Sequence, residues 1–327
     1  METRALMVER DLTVRVGTRT LPEPAADEAL IAVEWAGICG SDLHVLRTGD
    51  WVVDWPATLG HELYGRVLAA PEGSGLSPGD AVVSDSRLAC GTCDWCRVDP
   101  DRCPHIQFVG ELRPGGFASH CVLPARILHR VDPGVAGSTA VLAEPLAVAL
   151  HALSHLDHAP RRAAILGHGP IGALVHAELR RRAPGCAVDV AEPAALRAQL
   201  AEALGGRVTA SSAELDPAAY DVVVDAAGYA TSLADALALG APGAHVLLVA
   251  LGHAEAAVHP AALVERRLRV TGCHAFVDEL PEAIRLLSEE GWRYDPVVTA
   301  AVALDDLPGA LAALLDRPDD VKVLVRP

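Results

Sequence analysis

The chain has 327 residues, 51% of them hydrophobic and 21% charged, with a net charge of −16. That length suits about two domains with sizeable cores, and the composition excludes a disordered chain. The acidic excess argues against nucleic acid or an anionic membrane as the main partner.

Lysine occurs once, at Lys322, and the preference for arginine reads as compositional bias rather than function. The start, "METRALMVERDLTV", scatters charges and contains no apolar signal-peptide core. Eight cysteines without such a signal point to metal or catalytic roles over disulfides, and to a reducing cytoplasm. The longest uncharged run, near residues 236–254, holds Gly240, Pro242, Gly243 and His245. It reads as helix end, turn and buried strand, not as a membrane span.

In chain order, the first ~140 residues are short apolar runs broken by Gly and Pro, as in an irregular β-rich domain. Within them "GICGSDLH" offers Cys39, Ser41, Asp42 and His44 in one turn-like stretch, and "GHELYG" supplies His61 and Glu62. A thiolate, an imidazole and a carboxylate from separate segments suit a zinc ion with an open position, which a catalytic zinc requires.

Next comes "CGTCDWCRVDPDRC", with Cys90, Cys93, Cys96 and Cys103 spaced C-x2-C-x2-C-x6-C. Four close thiolates complete a tetrahedral shell and leave no place for substrate, so structural zinc is preferred. An iron–sulfur cluster is the chief rival, but that run would place its fourth cysteine after three residues and follow it with a second set.

The rhythm changes near residue 139. "STAVLAEPLAVALHALSHL" has helical spacing, and strands then alternate with helices, implying βαβ units and a parallel sheet covered on both faces. "AAILGHGPIGALV" puts Gly167, Gly169 and Gly172 in G-x-G-x-x-G register between a strand and a helix, with Pro170 and Ile171 inside the motif. The glycines provide a tight turn, room for a pyrophosphate and close helix–strand packing. Twenty residues after Gly172, Glu192 ends the next strand, placed to accept from ribose hydroxyls and repel a 2′-phosphate, which favours NAD over NADP. Asp189, the rival acid, falls mid-strand, and Arg197 is counted in the same cofactor site. "ELPEAIRLLSEEG" and "LDDLPGALAALLD" read as helices and "VKVLVRP" as a last strand.

As an ordered set, "GICGSDLH", "GHELYG", the Cys90–Cys103 lobe, "GGFASHCVLPA", "AEPLAVALHA", "GHGPIG" and "VVVDAAG" resemble the zinc-containing medium-chain dehydrogenase/reductase family over essentially the whole chain. "EPLAVALHA" and "GPIG" point to its polyol and L-threonine 3-dehydrogenase side. The resemblance implies an α/β fold: a GroES-like β-rich catalytic domain from residues 1–145 and 290–327, carrying a zinc lobe at 88–105. A doubly wound Rossmann domain occupies 146–289, and the active site lies in the cleft between them.

It further implies two Zn2+ per chain, with Cys39 and His61 as catalytic ligands. Glu62 is a ligand or a close, exchangeable carboxylate, and Glu144 is a fourth ligand or acts through the zinc-bound water. Ser41 and His44 match a proton relay, and Asp42 a structural acid.

Three departures from the family stand out. The last gap in the lobe is six residues rather than seven. His168 sits inside the phosphate turn, where a solvent-facing side chain is expected. Trp51 and Trp55 precede the zinc histidine, either lining the substrate pocket or packing as a surface loop. His151, His155 and His158, interleaved with leucines, read as a helix surface, and Cys121, Cys186 and Cys273 as buried small hydrophobes.

The expected activity is hydride transfer between NAD and a secondary alcohol: a polyol, cyclitol, amino alcohol or related metabolite. The proton leaves through Ser41, a cofactor ribose hydroxyl and His44, whose pKa suits that step. A carbonyl reductase running the reverse direction is the alternative, and a silent NAD-binding scaffold a further one. The expected partners are a small hydroxylated substrate and a second copy or more of the chain, as a homodimer or homotetramer.

Overall fold

A computed structural model describes residues 1–252 and 254–327. The chain forms two compact units. The first comprises residues 1–144, 280–317 and 322–327; the second comprises 145–279 and 318–321. The expected boundary near residue 290 thus falls ten residues earlier. The amphipathic helix Leu280–Glu290 belongs to the first unit, where it packs on the short helix Gly137–Ala140.

The first unit is built on a seven-stranded sheet. Its path runs Val298–Ala303, Lys322–Arg326, Glu28–Gly37, Glu62–Ala69, Ala81–Ser84 and Leu128–Arg130, with His120–Pro124 also paired to Glu28–Gly37. Only the first two strands are parallel; the others pair antiparallel. Glu28–Gly37 shows the reason for its fold in its alternation: Ala29, Ile31 and Val33 face the core while their neighbours are partly exposed. A hairpin of Glu2–Val8 and Val14–Thr20 joins through backbone bonds from Leu6 to Phe117 and from Val8 to Ala57. One core gathers Leu6, Val8, Ile38, Leu59 and Phe117 with Leu311, Val323 and Val325, so the chain's last segment is needed to complete a core begun by its first.

The second unit carries six parallel strands in the order Arg207–Thr209, Ala187–Ala191, Arg162–Leu166, Tyr220–Asp225, Gly240–Leu248, Arg269–Gly272. Numbered by sequence this is 3-2-1-4-5-6, the dinucleotide-binding order, whose ligand crevice opens where the order reverses. That point lies between Arg162–Leu166 and Tyr220–Asp225. The central strands are continuous apolar runs because both faces are covered; Val222, Val223 and Val224 are all buried. The stretch Gly137–Ser154 is long and apolar enough to cross a membrane by composition, but 72% of it is buried in the protein, as a core helix would be.

Candidate functional site

Four adjacent segments of the first unit converge on one cluster. Cys39 is the N-cap of helix Gly40–Thr48, so "GICGSDLH" is a helix start rather than a turn. The Asp42 carboxylate accepts from the backbone N–H of Cys39 at 2.8 Å and from that of Gly60 at 3.2 Å, clamping the two ligand-bearing segments together. Its Oδ1 stands 4.0 Å from His61 Nδ1. Glu62 begins strand Glu62–Ala69, and ligand atoms of Cys39, His61 and Glu62 all lie within 4.8 Å of one another.

Glu144, in the first turn of helix Ala143–Ser154, is buried and accepts from Ser86 Oγ at 2.7 Å. It interacts electrostatically with His61 and Glu62 but stands outside that 4.8 Å group.

Acidic groups and the Cys39 sulfur surround His61. Burial alone would lower the pKa of His61, yet the Cys39 sulfur, Asp42 and Glu144 raise it well above the ordinary histidine value. Burial raises the Asp42 and Glu144 carboxyls against the pull of His61. A thiol, an imidazole and a buried carboxylate grouped this closely fit a zinc ion with a free position.

His44 and Ser41 share the same helix three residues apart. The His44 ring stacks on Trp51 with centroids 4.3 Å apart, and its Nε2 is 3.3 Å from both Asp50 Oδ2 and Thr48 Oγ1. Trp51 is exposed against His44, while Trp55 packs on the core, so the two tryptophans part company.

The cysteine lobe is a second cluster, with four sulfurs within 4.8 Å of one another. Cys93–Cys96, Cys90–Cys96 and Cys93–Cys103 sulfur pairs stand 3.4, 3.7 and 3.9 Å apart. Thiolates 2.3 Å from a tetrahedral zinc lie about 3.8 Å from each other, so the set fits one ion despite the shortened last gap. It is too tight for a multi-iron cluster, whose four cysteine sulfurs are spread over more than one iron. Backbone N–H groups of Cys90, Gly91 and Cys96 donate to the sulfurs, and hydrogen bonds from Thr92 pull the Cys90 thiol down to about 5. All eight cysteines are free.

In the second unit, strand Arg162–Leu166 runs into Gly167 (φ 83°), and helix Pro170–Arg182 starts with Gly169 as N-cap and Pro170 in its first turn. A Cβ at Gly172 would strike the Gly167 carbonyl, which is why the helix can pack this close only with glycine there. Ile171 is half-buried in the first turn. Both oxygens of buried Glu192 accept backbone N–H bonds, from His168 at 2.7 Å and Ala194 at 2.9 Å. The Arg197 guanidinium reaches over Gly169, its Nη1 3.5 Å from where a Cβ would sit. Asp189 is committed elsewhere, to Arg207 at 2.7 Å, Tyr220 at 2.6 Å and Arg162 at 3.2 Å.

One expectation fails. His168 is not solvent-facing: it is fully buried, with Nε2 3.1 Å from Nδ1 of His176, also fully buried. Phosphate turns are tight, and the side chain has folded under the loop onto the next helix. Of the three histidines read as a helix surface only His151 lies in helix Ala143–Ser154, where it pairs with Glu279 at 2.9 Å; His155 and His158 follow the helix end, so that reading fails for them, while Cys121, Cys186 and Cys273 are buried as read.

Three contributors carried no usable sequence motif: Ser86, Lys322 and Glu111. Lys322 pairs with Glu62. Burial raises Glu111 to about 7, with His61 and Asp42 in electrostatic reach. Only the singularity of Lys322 could have flagged it.

Residues 25–133 match the alcohol dehydrogenase GroES-like domain. D-altritol 5-dehydrogenase of Agrobacterium fabrum is 32% identical over 94% of this chain and 95% of its own. 2-dehydro-3-deoxy-L-galactonate 5-dehydrogenase of Pseudoalteromonas atlantica is 30% identical over 92% of each chain. Among solved structures, a protein of Sinorhizobium meliloti 1021 assigned as a zinc-binding dehydrogenase and bound to NADP superposes with a TM-score of 0.90. It is 28% identical and matched over 100% of both chains.

Proposed function

This chain belongs to the zinc-containing medium-chain dehydrogenase/reductase (alcohol dehydrogenase) family, and from that premise we propose that it oxidises a secondary alcohol of a polyol-like metabolite with NAD. The observation that carries the reading is the grouping of Cys39, His61 and Glu62 within 4.8 Å. A zinc ion held there supplies a Lewis acid that lowers the pKa of an alcohol. In this reading each chain takes two zinc ions, the second in the cysteine lobe.

The chain's own residues have separable tasks. Asp42 fixes the spacing of the Cys39 and His61 segments through its two backbone bonds. Ser41, whose hydroxyl can both donate and accept, passes the substrate proton outward toward His44. The partly exposed His44 ring, near Asp50 and Thr48, releases it to solvent. Glu144, held by Ser86, faces the same cluster as a carboxylate for a substrate hydroxyl or a further ligand. In the second unit, the Gly167–Gly172 turn takes the pyrophosphate and Glu192 the adenosine ribose. Glu192 favours NAD because a 2′-phosphate would meet a buried carboxylate.

The test is NAD- and NADP-linked turnover, in both directions, against polyols, cyclitols, amino alcohols and sugar acids. NAD-linked oxidation of a neutral polyhydroxylated substrate is expected. Turnover only with NADP, or none with any alcohol or ketone in the panel, overturns the reading.

A further inference from the structure

Strand Gln107–Phe108 leads into a short loop that lies against the segment carrying His61. Gly110 donates its N–H to the Arg113 carbonyl at 2.8 Å, which leaves Glu111 and Leu112 at the tip of the loop. Both sides of that tip are fixed to the residues just before His61. After it, the N–H groups of Gly115, Gly116 and Phe117 donate to the carbonyls of Thr58, Gly60 and Leu59 at 2.7, 2.6 and 3.0 Å. Before it, a Cβ at Gly110 (φ 87°) would stand 3.1 Å from the Gly60 nitrogen, so the two backbones meet directly. That Gly60 N–H is the one held by Asp42, and His61 follows it. Backbone packing thus sets Glu111 beside the Cys39–His61–Glu62 group, and His61 and Asp42 are the charges that act on its carboxylate.

The other acids of the cluster are occupied. Asp42 accepts two backbone N–H groups, Glu144 accepts from Ser86, and Glu62 is paired with Lys322. The two arginines that share a recess with Glu111 are occupied as well. Arg113 pairs with Glu28 at 2.5 Å, and Arg19 donates to the Pro56 carbonyl and to Thr58 Oγ1 at 3.2 and 2.9 Å. The Glu111 carboxylate receives no hydrogen bond among the described residues, and its side chain is only half-buried. An ionised carboxylate can only accept, so a group placed this way takes hydroxyls and opposes a second anion.

We propose that Glu111 determines the charge class of the substrate, its carboxylate accepting hydroxyls of a neutral polyol beside the metal and turning away sugar acids and sugar phosphates. The inference rests on the metal-site reading above and narrows the substrates within it.

The test loads Co2+ into the full-length protein at pH 8, above the value of about 7 to which burial raises the Glu111 carboxyl. Visible Co2+ bands change when a ligand enters an open position, whereas the closed sulfur shell of the lobe admits none. Acetate serves as the anionic end group of a sugar acid, and imidazole as a neutral ligand for the same position. Glu111→Gln, or Glu111→Ala if the first does not fold, should tighten acetate at least about fivefold and move imidazole less than about twofold. Glu72→Gln, which removes the same charge from an exposed turn, should move neither. D-glucitol and D-gluconate, which differ only at one end carbon, are then read as competitors of imidazole. The parent should take glucitol more tightly than gluconate, and Glu111→Gln should narrow or reverse that preference.

Acetate affinity and sugar preference equal to the parent's in the Glu111 variants overturn the proposal. So does a parent that takes gluconate as tightly as glucitol. Failure of the metal-site reading looks different: Cys39→Ser would still bind two Co2+ per chain, and neither acetate nor imidazole would change the bands of the parent.

Discussion

The Glu192 carboxylate accepts the backbone N–H of His168 at 2.7 Å, tying the acid at the end of one strand to the phosphate turn at the end of the next. The turn and this acid are therefore one preorganised unit, and a change at Glu192 reaches the turn as well.

From this follows a change in coenzyme preference. Glu192→Ala removes the carboxylate that opposes a 2′-phosphate and loosens the turn. NAD should bind more weakly, and the ratio of kcat/KM for NAD over NADP should fall at least about tenfold, roughly 1.4 kcal/mol. An unchanged ratio would place ribose recognition elsewhere.

The catalytic cluster predicts a separation of chemistry from coenzyme binding. Cys39→Ser or His61→Ala should reduce turnover by at least about a thousandfold, because a lost Lewis acid is worth several kcal/mol. Bound zinc should drop from two per chain to one, while NAD affinity by fluorescence titration stays within about threefold. Normal turnover in either variant contradicts the assignment.

The cysteine lobe makes the opposite prediction. Cys93→Ser opens the sulfur shell, so zinc content and thermal stability fall first, with Tm lower by at least about 5 °C. At low temperature the remaining folded protein should retain kcat. A variant that is inactive yet stable and replete with zinc would reverse the division between the two clusters.

The buried histidine pair predicts an acid weakness. Burial lowers His168 to about 4 and His176 to about 3, the latter with His168 and Arg180 adding. Unfolded, both titrate near 6.5, so below that pH the unfolded chain binds more protons than the folded one. Stability is full above about pH 6.5 and falls as pH drops toward 4, by at most about 1.4 kcal/mol per unit for each ring. His176→Gln should therefore lose less Tm than the parent between pH 7 and pH 5. Equal losses would show that the His176 ring is not held neutral.

The grouping of the two candidate metal sets and the glycine turn were legible in the sequence because both depend on local spacing. Cysteines two residues apart, or three glycines between a strand and a helix, can hardly serve another purpose in that context. The place of Glu192 was legible for the same reason, since it directly follows the strand Ala187–Ala191. His168 was misread because a turn residue's outward or inward rotamer depends on what the next helix presents, here His176.

By itself, then, the sequence determined the candidate ligand types, their order along the chain, the β-rich and parallel-sheet halves, and the glycine turn between strand and helix. Tertiary structure alone decided which carboxylates stand where. Strand register across three chain segments brings Lys322 to Glu62 through the gap at Gly37, and a loop places Glu111 near His61. Such pairings join residues up to 260 positions apart, and no local spacing encodes them. They follow from which strands become neighbours, and that is settled by burial of the whole core.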